Sequence, residues 1–517
     1  MSQSSKFQTL VSARIAVNQS ARHNRIRLTV VIAAAVTVIS WSFSSPPLAT
    51  PDERVHIPSI WCAQSALRET CLDREFDKSS GVTSGRPGYL PTHCYFRQTY
   101  LSANCTEEDS YSRSVRVLRE GTYYLPGFQV ILNFLISDNG VNSIFRIRMV
   151  NGLLFALLLV VVVLAAPVRL ARSVVAAIAM TMTPFALWLI SSPNPSSWAI
   201  TGVVGVWVAA TWCISDIRPH SQGNFRARLQ FPIALGIGSG LLAGTSRLDA
   251  LVMGFTVLVL VVANEFAGTL SRRVRLVLAS AAAPAAAIAA FLLSSEITER
   301  RESLGPLSPA DLSKQPDFWV WLTNWSTHFP AVFLDAYGVQ GLGENDVRIP
   351  AIVLVVSLLV LGAAISFAAD RIVMQQLVSI GLTALAFLCM LWFASFEMDL
   401  YNVPGRYVMP LFPVIVGTYI YYSRSEVQFF DVLRLRHIAI GMLGIANALS
   451  LYAVVERYSA GSSAGLRVIP VRFDEWWWDF LPIGPNGVVV LGSVSWVVFL
   501  VYAFRFLDQR KLQEANA

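Results

Sequence analysis

The sequence predicts an all-α integral membrane protein of about twelve transmembrane helices, with an outer loop of about 100 residues after the first span. Three observations predict it. Of 517 residues, 54% are hydrophobic and only 14% charged, whereas soluble domains carry about 25% charged residues. Apolar runs near the ~20 residues that cross a bilayer recur along the chain. Arginines collect in alternate short connections, as orientation signals do. The net charge of +7 therefore belongs to loops. No basic face with interleaved aromatics exists, which excludes nucleic acid as a partner and leaves membrane lipid.

Taken in order, residues 1–27 carry Lys6, Arg14, Arg22, Arg25 and Arg27 and no acid, so they read as a cytoplasmic tail. The first span, 28–45, ends at Pro46-Pro47 without a small-residue cleavage site, which makes it an uncleaved anchor. Residues 46–148 follow as an outer loop holding Cys62, Cys71, Cys94 and Cys105. Two disulfides, with three possible pairings, are the simplest expectation there. A zinc site is disfavoured because no C-x-x-C spacing occurs. Tyr123–Ile136 is apolar but short and holds Pro126, the pattern of an interfacial or re-entrant helix.

A six-span bundle occupies 149–294, with runs at 149–166, 172–190, 198–215, 230–246, 249–265 and 275–294. An outer loop, 295–349, carries Trp319, Trp321, Trp325 and His328. A five-span bundle, 350–505, has runs at 350–369, 374–394, 407–422, 437–455 and 486–505, and a tail, 506–517, closes the chain. Alternating sides from the N-terminus puts Arg169, Arg218, Arg272, Arg371, Arg434 and Arg510 in cytoplasmic segments. Both termini are then cytoplasmic in a multi-pass plasma-membrane protein. The outer Trp476-Trp477-Trp478 reads either as an interfacial aromatic belt or as a rim for a sugar or prenyl chain.

The polar residues that hydropathy does not explain all fall at outer ends of spans: Asp52, Glu53, His56, Asn194, Arg247, Asp249, Glu397, Asp399 and Arg406. Ionisable groups near membrane depth are functional candidates, and their one-sidedness points to an outward-facing site. Asp52 and Glu53 are candidate catalytic carboxylates. Thr50-x-x-Glu53 with Pro51 also fits a capping box, which accounts for Glu53 better than for Asp52. His56 lies four residues after Asp52, on the same helical face. A Mg or Mn ion at Asp52 stays open, but one carboxylate and one histidine do not define a metal site. Arg247 and Arg406 stand against the charge rule. Each either binds a phosphate through paired N–H groups or bridges a neighbour, Asp249 for Arg247 and Glu397 or Asp399 for Arg406. Asn194, in the Ser192–Ser197 turn, is either turn chemistry or a contact to a sugar hydroxyl. Nucleotide-binding, zinc-protease and nucleophile-elbow signatures are absent. Short cytoplasmic loops leave no room for a nucleotide-sugar domain, which favours a donor already in the lipid.

Four short elements resemble an uncharacterised domain-of-unknown-function family of polytopic membrane proteins, frequent in actinobacteria and placed near the GT-C glycosyltransferases. They are Pro51-Asp52-Glu53-x-x-His56, the Pro193–Ser196 turn, Gly341–Asn345 before Pro350, and Gly405-Arg406-Tyr407-Val408-Met409-Pro410. The resemblance spans roughly residues 28–505. It implies a GT-C-like fold, a polyprenyl-phosphate sugar donor, a glycan acceptor of the cell envelope, and a general base in the first outer loop. Carried over, the base falls on Asp52 with Glu53 beside it; Arg406, Arg247, Asn194, His56 and Tyr407 are the candidate substrate-binding residues. The chain departs from the family at Tyr123-Tyr124-Leu125-Pro126 and at Gly341–Asp346. The competing expectations are a transporter or flippase of lipid-linked saccharide, and a non-catalytic protein of envelope synthesis.

Overall fold

The computed structural model describes residues 3–61, 63, 95, 101–103, 126–137, 140–217, 225–266, 405–422, 433–461, 476–478 and 481–508. Among the described residues all regular structure is helical. The elements are α1 (Gln3–Phe43), α2 (Glu53–Trp61), α3 (Pro126–Asn133), α4 (Gly140–Ala165), α5 (Val168–Thr181) and α6 (Pro184–Ile190). Then come α7 (Pro195–Ile217), α8 (Phe225–Ser246), α9 (Leu248–Phe266), a 3-10 turn Gly405–Tyr407, α10 (Leu411–Tyr422), α11 (Leu433–Ala460) and α12 (Pro485–Asp508).

Six of these helices contain segments long and apolar enough to cross a membrane: Ala21–Phe43, Gly140–Ala165, Pro195–Ser215, Leu229–Ser246, Arg436–Ala460 and Pro485–Leu507. Asp249–Val262 and Leu411–Tyr422 are apolar but shorter than a full crossing. The expected spans 275–294, 350–369 and 374–394, and all four outer-loop cysteines, lie outside the described residues.

Three boundaries differ from the sequence expectation. Helix α1 begins at Gln3, so the basic tail before residue 28 continues the first helix. Helix α4 begins at Gly140, which brings Arg148 inside a helix expected to start after it. The expected span 172–190 is not straight: α5 and α6 meet at 109°. The cause is local. Thr183 precedes Pro184 and is extended (φ −71, ψ 159), because the proline ring disfavours a helical residue before it. Pro184 has no N–H, and the Thr183 side chain caps the new helix by accepting from Ala186 N at 3.0 Å. The bent pair still crosses the bundle. It starts beside the far end of α4 and ends where Ser191 Oγ donates to Val38 O at 2.9 Å and Trp188 Nε1 donates to Ser45 Oγ at 3.2 Å.

Helix α1 runs between α4 and α12, α11 lies along α12, and α7 sits centrally against α8 and α9. Small residues permit the closest approach. A Cβ on Gly202 of α7 would lie 2.5 Å from Ala243 N and 2.7 Å from Ser239 O of α8, the close backbone contact that membrane helices use in place of a hydrophobic driving force. Buried polar bonds tie other pairs: Trp41 Nε1 to Asn447 Oδ1 at 3.1 Å, and Thr37 Oγ1 to Ser495 Oγ at 3.3 Å. His23 and Arg27 of α1 lie beside Phe506 of α12, so the start of the apolar segment of α1 and the last turn of α12 share one end of the bundle. The opposite end holds the candidate site.

Candidate functional site

The site is built on the loop between α1 and α2. Pro46 and Pro47 contribute no N–H and stop the helix, and the loop is almost wholly buried. A buried irregular backbone needs a partner for each carbonyl, and here side chains supply them. Arg148 Nη1 donates to Ser42 O (3.0 Å) and Ser45 O (2.7 Å), and Nη2 donates to Pro46 O (2.7 Å). Tyr95 Oη donates to Pro47 O at 2.7 Å and Tyr458 Oη to Ala49 O at 3.1 Å. Asn194 Nδ2 donates to Pro51 O at 3.0 Å. The Tyr95 backbone is held in turn by Arg457, whose Nη2 donates to Tyr95 O (3.0 Å) and Nη1 to Leu101 O (2.9 Å). Burial pushes the Tyr95 phenol well above its usual range, so it stays a donor. Two loop residues, Leu48 (φ 69) and Asp52 (φ 55), adopt left-handed backbone. That conformation is unfavourable for leucine and tolerated by aspartate, and such strain persists only where surrounding contacts impose it.

The adjacent carboxylates Asp52 and Glu53 go separate ways. Glu53 Oε2 accepts from Thr50 N at 3.0 Å, but Thr50 Oγ1 makes no return bond and α2 begins only at Glu53, after the left-handed Asp52, so half of the expected capping box forms. Its two oxygens also take Arg148 Nε (2.9 Å) and Nη2 (2.5 Å), with both side chains fully buried. With the three carbonyls above, Arg148 directs all five N–H groups at the loop and α2. Glu53, expected beside Asp52 as a candidate catalytic carboxylate, is thus fully buried and engaged by Arg148 and Thr50 N. Sequence reasoning missed Arg148, Tyr95, Tyr458 and Arg457. The signal that singled out Arg247 and Arg406, a cation at an outer span end, applies equally to Arg148.

Asp52 instead meets the other candidates. Its Oδ2 accepts from Arg406 Nη2 at 2.7 Å and from Asn194 Nδ2 at 3.3 Å. Asn194 Oδ1 accepts from Ser196 N at 2.9 Å, which caps α7, so the amide serves the chain with both ends. The surrounding turn is braced by Asn151, which donates to Ser192 O (2.7 Å) and accepts from Trp198 Nε1 (2.8 Å). Arg247 is buried and pairs with Asp249, its Nε at 2.9 Å from Oδ1 and its Nη2 on Oδ2, while Nη1 donates to Ser196 Oγ at 2.6 Å. Both guanidiniums lie over the Tyr407 ring, Arg247 at 3.9 Å and Arg406 at 5.6 Å from its centroid. The Asp249 partner of Arg247 is the one expected. The expected partners of Arg406, Glu397 and Asp399, lie outside the described residues.

His56 is buried in the first turn of α2, its backbone N–H donating to Asp52 O at 3.0 Å. Burial lowers its imidazole pKa from 6.5 to about 4; Asp52 opposes that shift, while Arg406 and Arg247 add to it. The histidine is therefore neutral at pH 7. The described residues do not fit a Mg or Mn ion. No three His, Cys, Asp or Glu groups converge among them, and Asp52 and Asp249 each face a guanidinium. Trp478 is buried and donates from Nε1 to Phe43 O at 3.1 Å, while Trp476 and Trp477 are half-buried with centroids 4.6 Å apart.

Apolar helices of spanning length, with charged residues gathered and paired at one end, define a polytopic helical membrane protein in a lipid environment. Over residues 36–415 the chain matches the family described as predicted membrane protein (DUF2142), and it belongs to that family. No curated protein and no solved structure matches it.

Proposed function

We propose that the protein is a GT-C-type glycosyltransferase of about twelve spans that moves a sugar from a polyprenyl-phosphate donor to a cell-envelope glycan. In this reading it sits in the plasma membrane with both termini cytoplasmic and the Asp52 end on the outer face. The observation that carries it is the Asp52–Arg406 pair at 2.7 Å, one residue from a left-handed, side-chain-braced loop and beside Tyr407, Arg247 and Asn194. A carboxylate and a guanidinium side by side, each partly exposed at 25% and 20%, are what a displacement at a sugar phosphate needs. The acceptor hydroxyl oxygen bonds to the anomeric carbon as the bond from that carbon to the phosphate oxygen breaks. The electron pair leaves with the phosphate, where Arg406 stabilises the developing charge. The hydroxyl proton passes to Asp52, and a positioned base typically contributes ~10²–10⁴-fold.

The test is transfer by the purified protein in lipid with a polyprenyl-phosphate sugar donor and a glycan acceptor. Asp52→Asn should lower turnover by about 100-fold or more; wild-type turnover in that variant rejects the base. A transporter of lipid-linked saccharide is the second reading, favoured by the 109° break between α5 and α6, since transporters bind cargo at broken helices. Against it, Met182, Pro184 and Phe185 at the break are buried and uncharged, while the Arg148–Glu53, Arg247–Asp249 and Arg406–Asp52 pairs lie together at one end of the described helices. Loss of the flipped lipid-sugar in a deletion strain would favour the transporter. Its accumulation favours the transferase.

A further inference from the structure

We infer that Asp52 and an incoming phosphate compete for Arg406, so that donor binding transfers this guanidinium from the carboxylate to the phosphate and uncovers the base. The inference rests on the reading of Arg406 as a phosphate ligand. Asp52, Asp249, Arg247 and Arg406 sum to zero, each cation facing its own carboxylate. A phosphate entering this neutral cluster meets a net attraction only if one carboxylate gives up its partner.

The two pairs are unequally placed to do so. Arg247 is 2% exposed, chelated by Asp249 through two nitrogens, bonded to Ser196 through the third, and seated on Tyr407. Arg406 meets Asp52 through an Nη2–Oδ2 contact and is 20% exposed, so solvent or a ligand reaches it where Arg247 is enclosed. Asp52 does not depend on Arg406 for its position. Its backbone is held from both sides, by Asn194 on Pro51 O and by His56 N on its own carbonyl, and Asn194 also bonds its carboxylate. Removing Arg406 therefore leaves the base where it was. Arg406 sits on a short 3-10 turn, not within a spanning helix. The exchange orders the reaction. An empty site keeps its base covered, and the donor phosphate uncovers it before the acceptor's proton is taken.

The experiment measures binding to the full-length protein in a neutral detergent, with a long-chain polyprenyl monophosphate, the matching uncharged polyprenol, and inorganic phosphate as probes. Asp52→Asn and Asp52→Gly both remove the competing charge, and both residue types accept the φ of 55 found there. Each should bind the polyprenyl phosphate about three- to tenfold more tightly than wild type, the range set by releasing a partly exposed ion pair. Polyprenol affinity should not change. Arg406→Gln should bind the phosphate weakly, and adding Asp52→Asn to it should bring no gain. Equal phosphate affinity in wild type and both Asp52 variants, with Arg406 still required, overturns the exchange and leaves the transferase reading standing. Phosphate affinity no higher than polyprenol affinity in every variant overturns both. Inorganic phosphate binding with the same Asp52 dependence, and displacing the lipid, supports the exchange but assigns it to a water-borne phosphate.

Discussion

Arg148 and Glu53 form a fully buried, two-pronged ion pair, Nε to Oε1 at 2.9 Å and Nη2 to Oε2 at 2.5 Å. The same guanidinium closes three carbonyls of the loop that carries Asp52. Arg148→Met would leave a buried carboxylate unpaired and those carbonyls without a donor. Loss of one partner of such a pair costs about 3–5 kcal/mol. Thermal unfolding of the detergent-solubilised protein should show that loss, with Glu53→Gln less damaging because it keeps an acceptor for Thr50 N.

His56 sets a pH dependence. Its folded pKa of about 4 lies below the ordinary histidine value of 6.5 because burial disfavours the charged ring. The unfolded chain therefore binds the proton first as pH falls, and stability drops between pH 6.5 and about 4. The contribution present above pH 6.5 and lost by about 4 is ~3 kcal/mol at most. Unfolding midpoints measured across this range should fall less steeply in His56→Gln than in wild type.

Asn194 does two jobs that substitutions separate. Asn194→Ala loses the cap on α7 and the donors to Pro51 O and Asp52, so a stability loss of about 1–2 kcal/mol is expected. Asn194→Ser restores a capping oxygen but not the reach to Asp52. Its unfolding midpoint should lie between those of wild type and Asn194→Ala, while its transfer activity stays as low as that of the alanine variant.

Two glycines test the helix packing in opposite directions. Gly202→Ala would force a Cβ against the α8 backbone, an overpacking that typically costs about 1–3 kcal/mol. Gly238, on α8, has nothing within 4 Å of an added Cβ. Gly238→Ala should be neutral or stabilising by up to ~1 kcal/mol through helix propensity. Unfolding of the two variants side by side checks the α7–α8 contact.

Much of the frame was legible from hydropathy, and the misses have local causes. After Arg172 the run to residue 190 is uncharged and mostly apolar, so composition alone did not reveal the bend at Thr183-Pro184. The proline and the capping threonine were the available signal. The Thr50 N–Glu53 Oε2 bond was legible because its partners are three residues apart, but the left-handed Asp52 that starts α2 at Glu53 and leaves the box half formed was not. Arg148 was not, because its partner is 95 positions away and its helix begins earlier than the apolar run.

By itself the sequence determined that this chain lives in lipid and where most of its described apolar segments lie, though not the starts of α1 and α4, and that Asp52, Asn194, Arg247 and Arg406 share one end. Those properties follow from local rules, since a backbone in hydrocarbon must satisfy its own hydrogen bonds and charge must lie near the interface. Only the tertiary structure decided which charge meets which. Glu53 and Asp52 are neighbours in sequence, yet one is buried under Arg148 and the other is partly exposed beside Arg406. Partner choice at that range depends on how helices pack, and packing brings together residues that no local pattern relates.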